Sequence, residues 1–228
     1  MPSARPPLTI PDVPGLAPPG DFDERLAALG VALDPRAIAT LGDYLARLIA
    51  TSERMNLTSI VEPADAWSRH ALDALAIVPE LADVPAGATL VDVGSGGGVP
   101  GVPLAIARPD LRVVLVEATQ KKATFLASVA TSLGLSNVRV VAERAEAAAQ
   151  GPLRGTAHVV VARAVARLEA LVALTAPFAR SGGRLVLVKG QRADEELAEA
   201  GHALRTHRLA HLRTVATPTG RLVVLEKA

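Results

Sequence analysis

The spacing of hydrophobic positions changes at residues 85–87, a Pro-Ala-Gly sequence. Beyond it, segments of helical period alternate with short, almost uninterrupted apolar runs at 89–94, 111–117, 137–143, 157–163 and 183–190. Apolar runs without a polar face are typical of strands covered on both sides, as in a parallel sheet. Residues 207–227 predict two further strands around a Pro/Gly turn. We therefore expect an α/β fold, a mostly parallel seven-stranded sheet with helices on both faces and a terminal β-hairpin.

The chain before this change has helical period. Asp34 and Pro35 fit the N-cap and first turn of an amphipathic helix, whose apolar face comprises Ile38, Leu41, Leu45, Leu48 and Ile49. Seven prolines among the first 20 residues predict a flexible segment. The pattern thus divides the chain into a flexible tail (1–20), a helical N-terminal layer (21–85) and a sheet domain (86–228).

Composition narrows the class of protein. Half of the 228 residues are hydrophobic, enough for a sizeable core. The net charge of +1 means that a phosphate-rich partner needs a local arginine surface. Cysteine is absent, which excludes disulfides, iron–sulfur clusters and thiol nucleophiles, and we expect no metal site. Without an apolar run of 18 residues, we expect a cytoplasmic monomer that contacts no membrane.

The first apolar run leads into a glycine-rich turn with acidic residues on either side. Asp92, Gly94, Gly96 and Gly98 alternate with other residues, and Glu117 ends the next run. A carboxylate at the first position favours a cationic amino-acid group, and one at the second can accept both hydroxyls of a ribose. This order is typical of S-adenosylmethionine (SAM) methyltransferases. The dinucleotide pattern Gly-x-Gly-x-x-Gly fails because Val99 stands at its third glycine.

Six segments occur in a specific order. They are NLTSI (56–60), RHALDAL (69–75), VGSGGGVPGVPLAI (93–106), AERAEA (142–147), ARAVA (162–166) and LVKGQ (187–191). Together they resemble the bacterial 16S ribosomal RNA guanine-N7 methyltransferases, the glucose-inhibited division protein B family, over residues 35–227. The resemblance implies a Rossmann-like SAM-dependent fold, SAM as methyl donor and, as target, one guanine in the decoding-region (530) loop of 16S rRNA.

The resemblance also implies particular cofactor contacts. The family's SAM-binding positions fall on Gly94, Val99, the Ala145–Glu146 pair and Arg163, in addition to the turn itself. Glu117 stands where the family usually has Asp, so we expect its ribose contact with adjusted geometry. Val99 is smaller than the Phe or Leu often found there and would cover less of the cofactor.

The residues also limit the chemistry of methyl transfer. N7 of guanine carries an in-plane lone pair and no proton, so its methylation needs positioning rather than a general base. Methylation of an exocyclic adenine amine typically uses an Asn/Asp-Pro-Pro-aromatic motif after the fourth strand, where this chain has Arg163 to Ala166. Methylation at pyrimidine C5 usually needs a cysteine, which is absent.

Several charged residues are candidates for catalysis and RNA binding. Arg163 follows the fourth predicted strand and can donate to guanine O6 or a phosphate; a salt bridge to Asp92 or Glu117 is the alternative. Lys189 and His70 are further catalytic candidates, although both could be structural. Candidate RNA contacts are Arg144, Arg69 and Asn56. A wider phosphate-binding surface would form if several later arginines shared the pocket side, namely Arg139, Arg144, Arg154, Arg163, Arg167, Arg180, Arg184 and Arg192.

Three other functions remain open on the sequence alone. A small-molecule methyltransferase would have a closed apolar pocket and no affinity for RNA. An RNA-binding assembly factor with a vestigial SAM site would bind SAM without transferring its methyl group. An NAD-dependent oxidoreductase is disfavoured by Val99. The preferred partner is 16S rRNA, free or within the small ribosomal subunit or its assembly intermediate.

Overall fold

The computed structural model describes residues 8–163 and 166–228. In this part of the chain, seven strands form one sheet in the order β3-β2-β1-β4-β5-β7-β6. Strands β1 to β5 are parallel, and β7 lies antiparallel between β5 and β6. The strands are β1 (Thr89–Val93), β2 (Arg112–Val116), β3 (Val138–Val141), β4 (Ala157–Arg163), β5 (Ala179–Lys189), β6 (Leu209–Ala216) and β7 (Arg221–Lys227). The predicted sheet and terminal hairpin are confirmed.

Helices precede the sheet and connect its strands. The longest is α2, whose N-cap Asp34 accepts a hydrogen bond from the Ala37 N–H at 2.7 Å, as its sequence predicts. None of the described helices has the length and hydropathy needed to cross a membrane. The α-helices are α1 (Phe22–Ala28), α2 (Pro35–Met55), α3 (Pro63–Ala66), α4 (Asp73–Leu75), α5 (Gly101–Ala107), α6 (Gln120–Ser132), α7 (Ala145–Ala148), α8 (Leu168–Thr175), α9 (Ala193–Glu199) and α10 (Gly201–Thr206).

Successive residues of the inner strands pack into two different hydrophobic clusters. In β1, Leu90 joins the cluster formed with the N-terminal helices, α5 and α6, whereas Val91 joins the one formed with α7 to α10. Val159 and Val160 of β4 divide in the same way. Both faces of these strands are therefore buried, which explains why their sequences lack polar alternation.

The helical layer of residues 21–85 shares a core with the sheet. Phe22 and Trp67 are buried and pack edge to face, with ring centroids 4.7 Å apart. Between α3 and α4 the chain is π-helical over Trp67–Leu72. The buried carboxylate of Asp73 then accepts hydrogen bonds from the Thr219 N–H, at 3.1 Å, and from the Thr219 hydroxyl. The turn between β6 and β7 is thereby joined to the layer.

Part of the segment expected to be a flexible tail makes specific contacts. Leu8, Ile10 and Leu16 pack against the first cluster. The Leu16 N–H donates to the carbonyl of Gly42 in α2 at 3.1 Å, and a Cβ at Gly42 would lie 2.3 Å from the Leu16 carbonyl oxygen. Leu8 and Ile10 lie beside α6, and Leu16 lies against α2. Residues 1–7 of the expected tail lie outside the described part.

Candidate active site

The loop from β1 to α5 has a left-handed backbone at three alternate glycines. The φ angles of Gly94, Gly96 and Gly98 are +73°, +57° and +104°, which other residues adopt only with strain. The N–H groups of Gly94 and Ser95 donate to the carbonyl of Val116 at 2.9 and 3.1 Å. The loop therefore crosses the carboxyl ends of β1 and β2, the sheet edge where open α/β folds bind ligands.

Asp92 places a carboxylate beneath this loop, fully buried at the end of β1. One oxygen, Oδ2, accepts a hydrogen bond from the Gly101 N–H at 3.1 Å, while Oδ1 has no hydrogen-bond partner among the described residues. A Cβ at Gly101 would lie 2.6 Å from Oδ2, so this contact requires glycine. Burial raises the pKa of Asp92 to about 7. A buried oxygen without a partner is suited to a cationic hydrogen-bond donor.

Glu117 joins the end of β2 to the same loop. Its Oε2 accepts from the Gly96 N–H at 2.9 Å, and its Oε1 accepts from the Thr119 N–H at 2.7 Å. The side chain is buried, and each carboxylate oxygen keeps a second lone pair for another donor. The longer Glu117 side chain thus reaches the glycine loop and remains able to accept from hydroxyl groups.

Residues of the N-terminal layer pack against the glycine loop between β1 and α5. Tyr44 of α2 donates its hydroxyl proton to the carbonyl of Gly97 at 2.8 Å. A Cβ at Gly97 would lie 2.7 Å from Leu48 Cδ1, so the leucine side chain of α2 packs directly against the loop backbone. A cavity of about 120 Å³ remains between the two parts, lined by Leu48, Leu57, Thr58, His70, Gly94, Ser95, Gly96, Gly97, Val99 and Arg163. The structure therefore brings together Arg163, His70 and much of the predicted cofactor loop.

Arg163 is held by hydrogen bonds rather than by an ion pair. Its Nη1 donates to the carbonyl of Arg69 at 2.7 Å, and its Nη2 lies 3.2 Å from Nδ1 of His70. In the described part of the chain it forms no salt bridge to Asp92 or Glu117, the alternative that its position suggested. The guanidinium thus links the end of β4 to the π-helical stretch.

His70 has a defined tautomer in this arrangement. A guanidinium only donates, so Nδ1 of His70 accepts from Arg163, and Nε2–H donates to the Thr58 hydroxyl at 2.8 Å. Burial, with the charge of Arg163, lowers the pKa of His70 to about 4. His70 is therefore neutral at physiological pH and holds Arg163. Thr58 and Tyr44 were missed from the sequence, although Thr58 belongs to the NLTSI segment.

The other predicted contacts are spread along the same edge. Asn56 is exposed and ends α2 with a φ of +50°, which is a structural role. Arg69 contributes its carbonyl to Arg163. After β3, Arg144 is exposed at the N-cap position of α7, and Ala145 and Glu146 begin that helix.

Lys189 is engaged away from the cavity. Its Nζ lies 2.7 Å from Oε2 of Glu196 and donates to the carbonyl of Ala166 at 2.7 Å. The same glutamate oxygen accepts from the Leu168 N–H at 2.7 Å. Lys189, predicted as a catalytic or phosphate-binding group, instead fastens the segment after β4 to β5 and α9. The sequence did not indicate Glu196 as a partner.

We expect Lys189→Met to lower the free energy of unfolding by about 2 kcal/mol, because it leaves the partly buried Glu196 carboxylate without its cation. Only 8% and 13% of the two side chains are exposed. Arg167→Ala is the matched control, since its partner Glu199 is 59% exposed, and should cost less than about 1 kcal/mol. Urea denaturation measures both. If the Lys189→Met variant has normal stability but binds RNA more weakly, Lys189 is a phosphate-binding residue as the sequence predicted.

The fold and the loop define a Rossmann-like methyltransferase. A SAM-dependent methyltransferase from Aquifex aeolicus has a TM-score of 0.57 at 16% identity, covering 75% of this chain and 96% of the other. Geranyl diphosphate C-methyltransferase from Streptomyces coelicolor has a TM-score of 0.55 at 18% identity, covering 93% and 100%. At these identities the similarity concerns the fold alone.

The chain belongs to the family of ribosomal RNA small subunit methyltransferase G. The model of that family, GidB, matches residues 37–224. The enzyme of that name from Sorangium cellulosum is 59% identical over 227 residues, covering 100% of this chain and 95% of its own. The one from Dehalococcoides mccartyi (strain BAV1) is 39% identical over 209 residues, covering 89% and 88%. The resemblance drawn from the six segments is confirmed.

Proposed function

We propose that this protein transfers a methyl group from SAM to N7 of one guanine in the 530 loop of 16S rRNA. Membership of the small subunit methyltransferase G family is the observation that carries the proposal. The site supports it independently, because a buried acidic residue, a left-handed glycine loop and a second acidic residue meet at the carboxyl edge of the sheet.

The residues present fit SAM. When bound, SAM supplies a methyl group activated by its sulfonium. Oδ1 of Asp92, which has no partner within residues 8–163 and 166–228, would accept from the cationic amino group, and the second lone pairs of the Glu117 oxygens would accept from the ribose hydroxyls. Gly94, Gly96 and Val99 would border the cofactor from the loop, and Ala145 and Glu146 from the start of α7.

No residue of the site needs to remove a proton. N7 attacks through its lone pair, so the protein has to hold the base in line and keep water away. His70 suits this requirement because both of its ring nitrogens are already hydrogen bonded. Arg163 is the group that we assign to the guanine, through O6 or its phosphate, and His70 is a positioning residue.

Access to the RNA follows from the depth of the site. The target base must be unstacked to reach a methyl group beside Asp92, which is fully buried. Arg144 is exposed at the same edge and is our candidate for a phosphate contact, with Arg69 and Asn56 nearer the layer. We further propose that the enzyme acts as a monomer in the cytoplasm, on 16S rRNA or the small subunit.

Methyl transfer to defined RNA tests this proposal. Purified protein, methyl-labelled SAM and 16S rRNA or 30S particles from a strain lacking this gene are combined. The labelled nucleoside is identified by chromatography, and its position is mapped by cleavage at 7-methylguanosine. One labelled guanine in the 530 loop is expected. SAM binding without transfer to RNA that a known family member methylates would indicate the assembly factor or the small-molecule enzyme.

A further inference from the structure

The later arginines, which could form a phosphate-binding surface if several shared the pocket side, are divided between the two edges of the sheet. Arg163 and Arg167 follow β4 at the carboxyl edge of the sheet, beside the candidate active site. Arg154 precedes β4, and Arg180 lies at the start of β5, so both belong to the opposite, amino edge. Arg112, the first residue of β2, lies at this amino edge as well. Basic residues therefore gather at a second place, remote from the glycine loop.

Strand pairing brings two of these arginines, Arg112 and Arg180, together beside His158. Thr89 of β1 pairs with Arg112, and its N–H donates to Nδ1 of His158 at 3.2 Å. The register between β4 and β5 shifts at His158, and Arg180 lies on the resulting bulge of β5. Burial is the main cause that lowers the pKa of His158, and the positive charges of Arg180 and Arg112 lower it further. We call Arg112, His158 and Arg180 the amino-edge cluster.

The nearby carboxylates do not compensate this cluster. Asp110 is held by two hydrogen bonds from Arg108, at 2.8 and 2.7 Å. In the described part of the chain, neither Arg112 nor Arg180 forms an ion pair, and both are exposed. Asp83, another acidic residue, is likewise held by two hydrogen bonds, from Arg184. The cluster thus keeps its charge in a chain whose net charge is only +1.

The basic surface continues beyond the cluster. Arg154 is exposed in the turn before β4. Burial and the nearby charge of Arg154 lower the pKa of Lys227, which lies at the end of β7. At the carboxyl edge, by contrast, Lys189 is paired with Glu196 and Arg167 with Glu199. Positive charges held near one another without carboxylates repel, and a polyanion would relieve that repulsion.

We propose that the amino-edge cluster, together with Arg154, binds phosphates of the RNA substrate at a second surface, on the opposite edge of the sheet from the active site. The seven residues of β4 separate the two edges by roughly 20 Å, a distance that a large folded RNA spans. Arginine suits this role because its planar fork donates two hydrogen bonds to a phosphate. The inference rests on the proposed function, since it takes RNA as the substrate.

The surface favours RNA over an acidic protein. Protein interfaces usually have an apolar centre. Among the described residues, the exposed large hydrophobic side chains are Val61 and Leu212, and neither belongs to a strand or turn of the cluster. Phosphate contacts position an RNA without reading its sequence. The second surface would therefore raise affinity and set orientation, while the guanine is selected at the active site.

The double variant Arg112→Ala/Arg180→Ala tests this surface. Its Kd for full-length 16S rRNA should rise about tenfold, and the slope of log K against log salt should decrease by about two. SAM affinity and the rate at saturating RNA should equal those of the wild type. The matched control is Arg36→Ala/Arg54→Ala, which removes two exposed arginines of α2 outside the cluster. Arg112→Lys/Arg180→Lys should retain most of the salt slope, because lysine keeps the charge.

Two RNA probes separate the outcomes. A short RNA hairpin that carries only the target loop reaches the active site but not the amino-edge cluster. The double alanine variant should therefore bind this hairpin as the wild type does. Unchanged affinity and salt slope for full-length 16S rRNA would overturn the second surface. Loss of affinity for 30S particles but not for naked 16S rRNA would also overturn it and indicate a ribosomal protein as the partner. Failure of the wild type to methylate 16S rRNA, both free and within 30S particles, would instead refute the proposed function.

Discussion

Asp92→Asn should weaken SAM binding by about 100-fold and, at pH 8, make the free protein more stable. The affinity falls because the buried Oδ1, which has no partner among the described residues, loses its charge and is replaced by an amide that donates. Removing one partner of a buried, charge-assisted hydrogen bond costs about 2–5 kcal/mol. Isothermal titration with SAM measures this loss.

The gain in stability arises because the asparagine removes the cost of burying a charged carboxylate. Because the pKa of Asp92 is about 7 in the folded protein, against an ordinary value of 3.8, the folded state holds a proton that the unfolded state has released between these pH values. The contribution of Asp92 to wild-type stability therefore falls as pH rises from about 4 to 7, and is constant above that. The amide of the Asp92→Asn variant does not titrate. The advantage of the variant over the wild type should grow by about 1.4 kcal/mol per pH unit across this range.

Urea denaturation at pH 5, 6, 7 and 8 provides that comparison. Asp110→Asn is the control, since this exposed carboxylate contacts Arg108 far from the glycine loop. It should leave SAM affinity unchanged and should not reproduce the pH-dependent gain. A folded Asp92→Asn protein with wild-type SAM affinity would show that the carboxylate is structural. The two measurements together test whether this buried charge is kept for binding at the expense of stability.

The parts of the site that the sequence predicted are those built by neighbouring residues. Asp92, Gly94, Gly96 and Gly98 are fixed by one strand and its following turn, so their spacing alone indicates their geometry. Glu117 ends the adjacent parallel strand, which places it at the same edge. The sheet was predicted for a similar reason, since runs buried on both faces have a distinct composition.

The parts that the sequence did not predict depend on distant partners. Arg163 bonds to a carbonyl 94 residues earlier, and no local pattern specifies such a contact. Lys189 ends a strand beside the site, but its partner Glu196 belongs to the following helix and turns it away from the cavity. The placement of the later arginines was left open for another reason, because the sequence does not reveal whether a residue starts or ends a parallel strand until the strand bounds are known.

Arg163→Ala should reduce kcat/KM for 16S rRNA by about 100-fold, the scale expected when a positioning contact at the reacting base is lost. SAM affinity should change by no more than about threefold, because the described hydrogen bonds of Arg163 run to Arg69 and His70 rather than to Asp92 or Glu117. Single-turnover methyl transfer and SAM titration measure the two quantities. Equal losses in both would show that Arg163 chiefly binds the cofactor.

His70 offers a matched pair of variants for the same question. His70→Asn keeps an acceptor near the position of Nδ1, facing Arg163, whereas His70→Gln keeps polar atoms near Nε2, facing Thr58. If His70 acts by holding Arg163, the Asn variant should retain the greater kcat. Thr58→Val, which removes only the partner of Nε2, should resemble the Asn variant, and Thr58→Ser should resemble the wild type.

The double variant His70→Gln/Arg163→Ala then decides how His70 acts. A residue that works only through Arg163 adds no further loss once Arg163 is absent, so the double variant should match Arg163→Ala. Independent, multiplying losses would mean that His70 contacts the RNA or the cofactor itself. The pH profile provides a second readout. With a pKa of about 4, His70 stays neutral between pH 6 and 8, and its titration should leave no inflection in kcat over that range.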